Sequence, residues 1–166
     1  TAPLVIRVDE TLVALQRLAT YWRERHSNVR VIGITGSIGK TSTKELVAQV
    51  LTERFQVLKS EGNQNNAIGV PLTLLRLNET HECAVLELGM DRLGEITDYC
   101  KWAKPEIGVV TNIGPVHLEK LGSIENIALA KSELIEALPR SGVAILNADD
   151  ALVLAMRKVC QARVMT

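Results

Sequence analysis

Lys40, Thr41 and Ser42 follow directly on the turn Gly36-Ser37-Ile38-Gly39, which itself ends an apolar, β-branched run through Val29, Val31, Ile32 and Ile34. A strand, a glycine loop and a helix N-terminus in this order suit a polyphosphate. Glycine lets successive backbone N–H groups turn inward on phosphate oxygens, and the start of the helix adds its partial positive charge. Lys40 would reach the β- and γ-phosphates of a nucleoside triphosphate, and the Thr41 hydroxyl would bind Mg²⁺. The pattern departs from G-x-x-x-x-G-K-[ST] at one place, because position 34, where the outer glycine belongs, is Ile34. An ordinary strand–turn–helix with a surface lysine is the plainer alternative, and Gly39-Lys40-Thr41-Ser42 in this setting weighs against it.

Further positions could act with that loop. Glu87 ends an apolar stretch over residues 84–88, where an unpaired carboxylate is costly to desolvate. Mg²⁺, which takes oxygen ligands and bridges phosphates, is its natural partner; an edge-strand glutamate facing water is the alternative. Asn112 and His117 follow the apolar stretch 107–111. Asn112 could hydrogen-bond a phosphoryl oxygen or a metal-bound water, and His117 could serve a metal or a phosphate. Lys131 falls on the apolar stripe Ile124, Ile127, Ala128, Leu134, Ile135 and Leu138, at i+4 from Ile127 and i+7 from Ile124. Lysine is almost never buried without a partner, and desolvation lowers its pKa. A neutral amine could take up CO₂ as a carbamate, an anionic ligand for a second cation; a salt bridge to a carboxylate such as Glu87 is equally open. The polar stretch 62–66 offers Asn63, Asn65 and Asn66 for orienting a polar substrate or the phosphates, against the alternative of a plain turn. With no nucleophile triad and no redox pair, this inventory is the equipment of phosphoryl transfer.

These positions need a frame, and the apolar spacing supplies one. Helices are expected over 11–25, 40–53, from Pro71 through Leu75, over 94–103, over 124–138 and from 149–150 onward. Strands are expected over 29–34, 55–58, 84–88, 107–111, 143–146 and at 163–165. Alternation of this kind means a parallel α/β sheet flanked by helices, in which ligands gather at the carboxyl ends of the strands. On the first helix Arg17, Arg23, Glu24 and Arg25 read as the solvated face; on the second, Leu46, Val47, Val50 and Leu51 read as the buried one. The chain has 166 residues, about one domain, and is 46% hydrophobic but only 3% aromatic, so its core is aliphatic. Equal counts of 19 basic and 19 acidic residues give no nucleic-acid footprint. No apolar run is long enough to span a bilayer and no signal peptide opens the chain. Cys83, Cys100 and Cys160 lack metal-ligand spacing and read as free thiols of a reducing cytosol. The opening Thr1-Ala2-Pro3 suggests a piece excised from something longer.

The motifs taken together resemble the Mur ligase family. Thr35-Gly36-Ser37-Ile38-Gly39-Lys40-Thr41-Ser42 is similar to its T-G-[ST]-x-G-K-[ST] loop, which also lacks the outer glycine. Gly62-Asn63 with Gly69-Val70-Pro71-Leu72-Thr73, Glu87-Leu88-Gly89-Met90 with Gly94-Glu95-Ile96, Thr111-Asn112-Ile113-Gly114-Pro115 with His117-Leu118, Ala130-Lys131-Ser132-Glu133 and Asn147-Ala148-Asp149-Asp150 follow in the family's order. Within the family the glycine–asparagine and Gly114-Pro115 blocks look like the branch that adds D-alanyl-D-alanine. The resemblance implies a P-loop NTPase-like central domain, truncated on its C-terminal side, with residues 1–28 a linker and helix from the junction with a missing N-terminal domain and 29–166 the incomplete ATP-binding domain. It implies ATP-dependent activation of a UDP-N-acetylmuramoyl-peptide carboxylate as an acyl phosphate for attack by D-Ala-D-Ala, in a cytoplasmic, monomeric enzyme of peptidoglycan synthesis without membrane insertion. Gly36 to Ser42 would hold ATP; Thr41 and Glu87 would hold one Mg²⁺; His117 and a carbamylated Lys131 would hold a second; Lys40 and Asn112 would complete the catalytic set. The expected piece by itself would be inactive, since domains before and after it bind the other substrates. A sister ligase (another Mur enzyme, folylpolyglutamate synthase or cyanophycin synthetase) and a non-catalytic nucleotide-binding module are the competing readings.

Overall fold

The computed structural model describes residues 3–116 and 118–166. Six parallel strands, β1 (Arg30–Thr35), β2 (Val57–Lys59), β3 (Cys83–Glu87), β4 (Ile107–Val110), β5 (Val143–Leu146) and β6 (Arg163–Met165), lie in the order β2-β3-β1-β4-β5-β6. The helices are α1 (Thr11–Arg25), α2 (Lys40–Thr52), α3 (Gly69–Leu74), α4 (Glu95–Ala103), α5 (Leu118–Leu121), α6 (Ile124–Glu136) and α7 (Ala151–Ala155). The chain leaves β1 towards β2 on one side and later returns to β4 on the other. That reversal opens a crevice at the carboxyl end of β1, where parallel sheets bind ligands. No helix among the described residues is long and apolar enough to cross a membrane.

Alternation along β1 divides the core. Val31 joins the larger cluster, with Leu86, Ile127, Leu134 and Ile135, beneath α1, α3, α4 and α6. Ile32 and Ile34 join Ala48, Cys83 and Val85 beneath α2. Both faces of the central strands are covered, which is why they read as near-continuous apolar runs. Cys83 and Cys100 are buried free thiols and Cys160 is partly buried.

Three expectations are corrected. The second strand begins at Val57, since Phe55 and Gln56 precede its pairing with β3. On α2, Val47 and Leu51 pack against the core as expected, but Leu46 and Val50 are exposed, while Lys44 and Ala48 are inside. Arg23 is not on a solvated face but 3% exposed. Its guanidinium donates to the carbonyls of Ala103 at 2.9 Å, Val29 at 3.0 Å and His26, tying the end of α1 to the end of α4 and the entry to β1. Arg23→Met leaves those carbonyls without their charged donor and is expected to cost about 3 kcal/mol, roughly 10 °C in Tm. Arg17→Met on the exposed face is the control for a thermal melt; equal melting of the two variants would contradict this role.

Candidate functional site

Gly36, immediately after β1, has φ +148°, and a Cβ there would fall 1.9 Å from Thr111 Oγ1. Gly39, with φ +84°, is the N-cap of α2. The loop between them is braced from the tip of β4. Ser37 N–H donates to Asn112 O, and Ile38 exchanges hydrogen bonds with the Asn112 side chain, 2.9 Å in each direction. Thr111 Oγ1 donates to Ile38 O at 2.7 Å, and Ser37 Oγ bridges the N–H and C=O of Gly114. Asn112 therefore spends its carbonyl and one N–H on the loop itself. Lys40 Nζ donates to Gly36 O at 2.9 Å and Ser37 O at 3.2 Å, which holds the ammonium on the loop's rim. Gly36→Ala forces both a clash with Thr111 and an unfavourable backbone angle. It is expected to cost about 2–3 kcal/mol in urea unfolding; a variant as stable as the parent would contradict the loop geometry.

Glu87 is 3% exposed. Its strand lies between β2 and β1, so the edge-strand alternative does not apply. Thr41 Oγ1 donates to one carboxylate oxygen at 2.8 Å and Asn65 Nδ2 to the other at 2.9 Å. Among the described residues no lysine or arginine pairs with it, and the alternative ion pair with Lys131 is not formed. A buried carboxylate held only by neutral donors retains an uncompensated charge, which fits a cation bound beside Thr41. No group of three His, Cys, Asp or Glu occurs among the described residues.

Beside Glu87's partners lies a cavity of about 350 Å³ whose polar wall is Lys40, Asn65, Asn66, Asp91, Glu95 and Lys131 and whose apolar wall includes Leu12, Ile68, Met90 and Tyr99. Lys131 is 2% exposed between Ile127 and Leu134, as its place on the α6 stripe demands. Among the described residues it has no hydrogen bond or ion pair. Burial, reinforced by the charge of Lys40, pushes its ammonium down to about 8. Asn65 and Asn66 both reach the cavity, with Asn66 Oδ1 also accepting from the N–H groups of Ile68 and Gly69 at the start of α3. Asn63 is exposed and lies off that wall, and Ser42 is exposed on the first turn of α2. His117 lies outside the described residues.

Sequence reasoning missed long-range bonds made by two carboxylates. Glu133 accepts from the N–H groups of Gly94 and Thr97 and from Thr97 Oγ1, capping α4 from the neighbouring helix. Asp150 caps α7 and also accepts from Ile113 N–H. The helix cap is legible at Asp150; the bonds to residues distant in the sequence carry no local signal.

The comparisons with known proteins agree with this geometry. The Mur ligase middle domain matches residues 34–166. The chain is 48% identical over 147 residues to the UDP-N-acetylmuramoyl-tripeptide–D-alanyl-D-alanine ligase of Synechocystis, covering 89% of this chain and 32% of that protein. A crystal structure of MurF from Acinetobacter baumannii superposes with TM-score 0.91 at 36% identity, covering 99% of this chain and 38% of that one. A MurF ligase from Thermotoga maritima in complex with ADP superposes with TM-score 0.83 at 33% identity, covering 99% and 39%. The chain thus spans about a third of the length of the curated relatives it matches.

Proposed function

The chain belongs to the Mur ligase family, and from that premise we propose that it is the ATP-binding core of a cytoplasmic, monomeric ligase that joins D-Ala-D-Ala to a UDP-N-acetylmuramoyl peptide. Residues 29–166 form the nucleotide-binding part, and residues 1–28 the junction with a preceding domain. The observation that carries this reading is the buried Glu87 carboxylate, hydrogen-bonded to Thr41 at the mouth of the phosphate loop. The relatives' names, and the ADP complex of one of them, supply the nucleotide and the substrates.

The loop from Gly36 to Ser42 takes the phosphates, with backbone N–H groups and the α2 N-terminus as donors. Lys40 bears on the β/γ end, and Asn112 keeps the loop's shape by holding Ile38. Thr41 and Glu87 would hold Mg²⁺, which when bound would supply charge neutralisation for phosphoryl transfer. The peptide carboxylate attacks the γ-phosphorus and ADP leaves. The amine of D-Ala-D-Ala attacks the resulting acyl phosphate, the nitrogen loses a proton, and phosphate leaves as the amide forms. Asn65 and Asn66, which line the cavity, orient the polar substrate; Asn63 lies off its wall. Lys131, buried and without a hydrogen bond or ion pair among the described residues, is suited to carbamylation, and with His117 it would hold a second cation.

The test is phosphate release by the full-length protein. It should require both UDP-N-acetylmuramoyl-tripeptide and D-Ala-D-Ala. Release with another UDP-peptide and amino-acid pair instead would assign a sister ligase, and binding of ATP without turnover would assign a nucleotide-binding module. The chain by itself should show no such substrate-dependent release.

A further inference from the structure

Lys44 lies three residues after Thr41 and four after Lys40, on the face of α2 turned towards β2 and β3. Its side chain is wholly buried. Nζ donates to Ser60 O at 2.8 Å and lies 3.5 Å from Gly62 O, with Glu45 Oε1 at 3.2 Å. Glu45 is half exposed and shared with Lys59, so the contacts inside the fold are the two carbonyls of one loop. Lysine is almost never buried without such pairing, which makes the choice of partners informative.

That loop leads to Glu87 from both ends. Ser60 is itself buried; its N–H donates to Val85 O and its Oγ accepts the Glu87 N–H at 3.2 Å. Past Gly62 the chain turns back, and Asn65 donates its side-chain N–H to the Glu87 carboxylate while its carbonyl accepts from Gly89 N–H. The ammonium thus grips the start of the loop whose far end orients the carboxylate. We propose that Lys44 is a positioning residue for Glu87, setting the carboxylate through Ser60 and Asn65 without touching nucleotide or cation. The inference rests on reading Glu87 as the Mg²⁺ ligand.

The experiment is Mg²⁺ titration of ATP-dependent phosphate release by the full-length protein carrying Lys44→Met, alongside a thermal melt. Methionine keeps the apolar stem and removes the donor. Loss of a direct outer partner of a metal ligand weakens metal affinity by about tenfold or more; Lys44 stands one step further out, so the half-saturating Mg²⁺ concentration should rise by up to about tenfold in a cooperatively folded variant. Because part of the effect runs through Asn65, Lys44→Met and Asn65→Ala combined should cost less than the product of their single effects. A folded Lys44→Met with the parent's Mg²⁺ dependence, or a double variant showing the full product of the single effects, overturns the proposal. If Lys44→Met does not fold, Ser60→Ala must show the shift, and unchanged Mg²⁺ dependence there overturns it equally. Phosphate release by the unmodified protein without any Mg²⁺ would instead overturn the reading of Glu87, and Lys44 with it.

Discussion

Lys40→Met in the full-length protein is expected to lower ATP-dependent phosphate release about 10²- to 10³-fold, the range seen when one preorganised charge-stabilising donor is removed. The ammonium is stationed before any substrate arrives, held by Gly36 O and Ser37 O on the rim of the loop. It therefore meets the charge developing on the transferred phosphoryl group with little reorganisation. Methionine keeps the length of the stem and removes the charge. Since Lys40 is only partly buried, stability should change by no more than about 1 kcal/mol. A phosphate-release assay paired with a melt separates the two effects. Activity within about tenfold of the parent would remove Lys40 from the transition state.

Lys131→Met should cost about a hundredfold in turnover, as expected when a metal ion loses a ligand or its support, and added bicarbonate should not restore it. The proposed carbamate predicts that the parent loses activity when CO₂ and bicarbonate are depleted and regains it when they are returned, since a carbamate requires the neutral amine. Burial favours that amine, with half the lysine deprotonated near pH 8. Unchanged activity in Lys131→Met would remove the residue from the mechanism. The same burial has a consequence for stability that needs no turnover. An unfolded lysine titrates near 10.5 and the folded one near 8, so between those values the unfolded chain binds more protons. Stability should therefore rise with pH across that window, and Lys131→Met should flatten the rise.

Much of this was legible because the relevant signals are local. The alternation of apolar runs specified a parallel sheet, the glycines at 36 and 39 marked the loop, and a lysine at i+4 from Ile127 announced its own burial. The errors fall where a polar side chain finds its partner far along the chain. Arg23 is drawn inside by the carbonyl of Ala103, 80 positions away, and no feature of α1 reveals that carbonyl. Likewise the buried side of α2 is fixed by Lys44 reaching Ser60; choosing the most apolar stripe instead placed Leu46 and Val50 inside, where they are not. Asn112 stands out in the sequence only by its place after an apolar stretch; its bond to Ile38 depends on how β4 sits beside β1. Local spacing told which residues approach the crevice; the sheet order decided which of them hold the others.

The central claim is that the loop after β1 and the carboxylate at the end of β3 together hold a Mg²⁺-bound triphosphate. A crystal structure of the full-length protein with Mg²⁺ and a non-hydrolysable ATP analogue tests it most directly. Phosphates should lie against the backbone of residues 36–42, with the cation between Thr41 Oγ1 and the Glu87 carboxylate and their direct hydrogen bond opened. Phosphates bound elsewhere, or a cation that leaves the Thr41–Glu87 hydrogen bond closed, would contradict it.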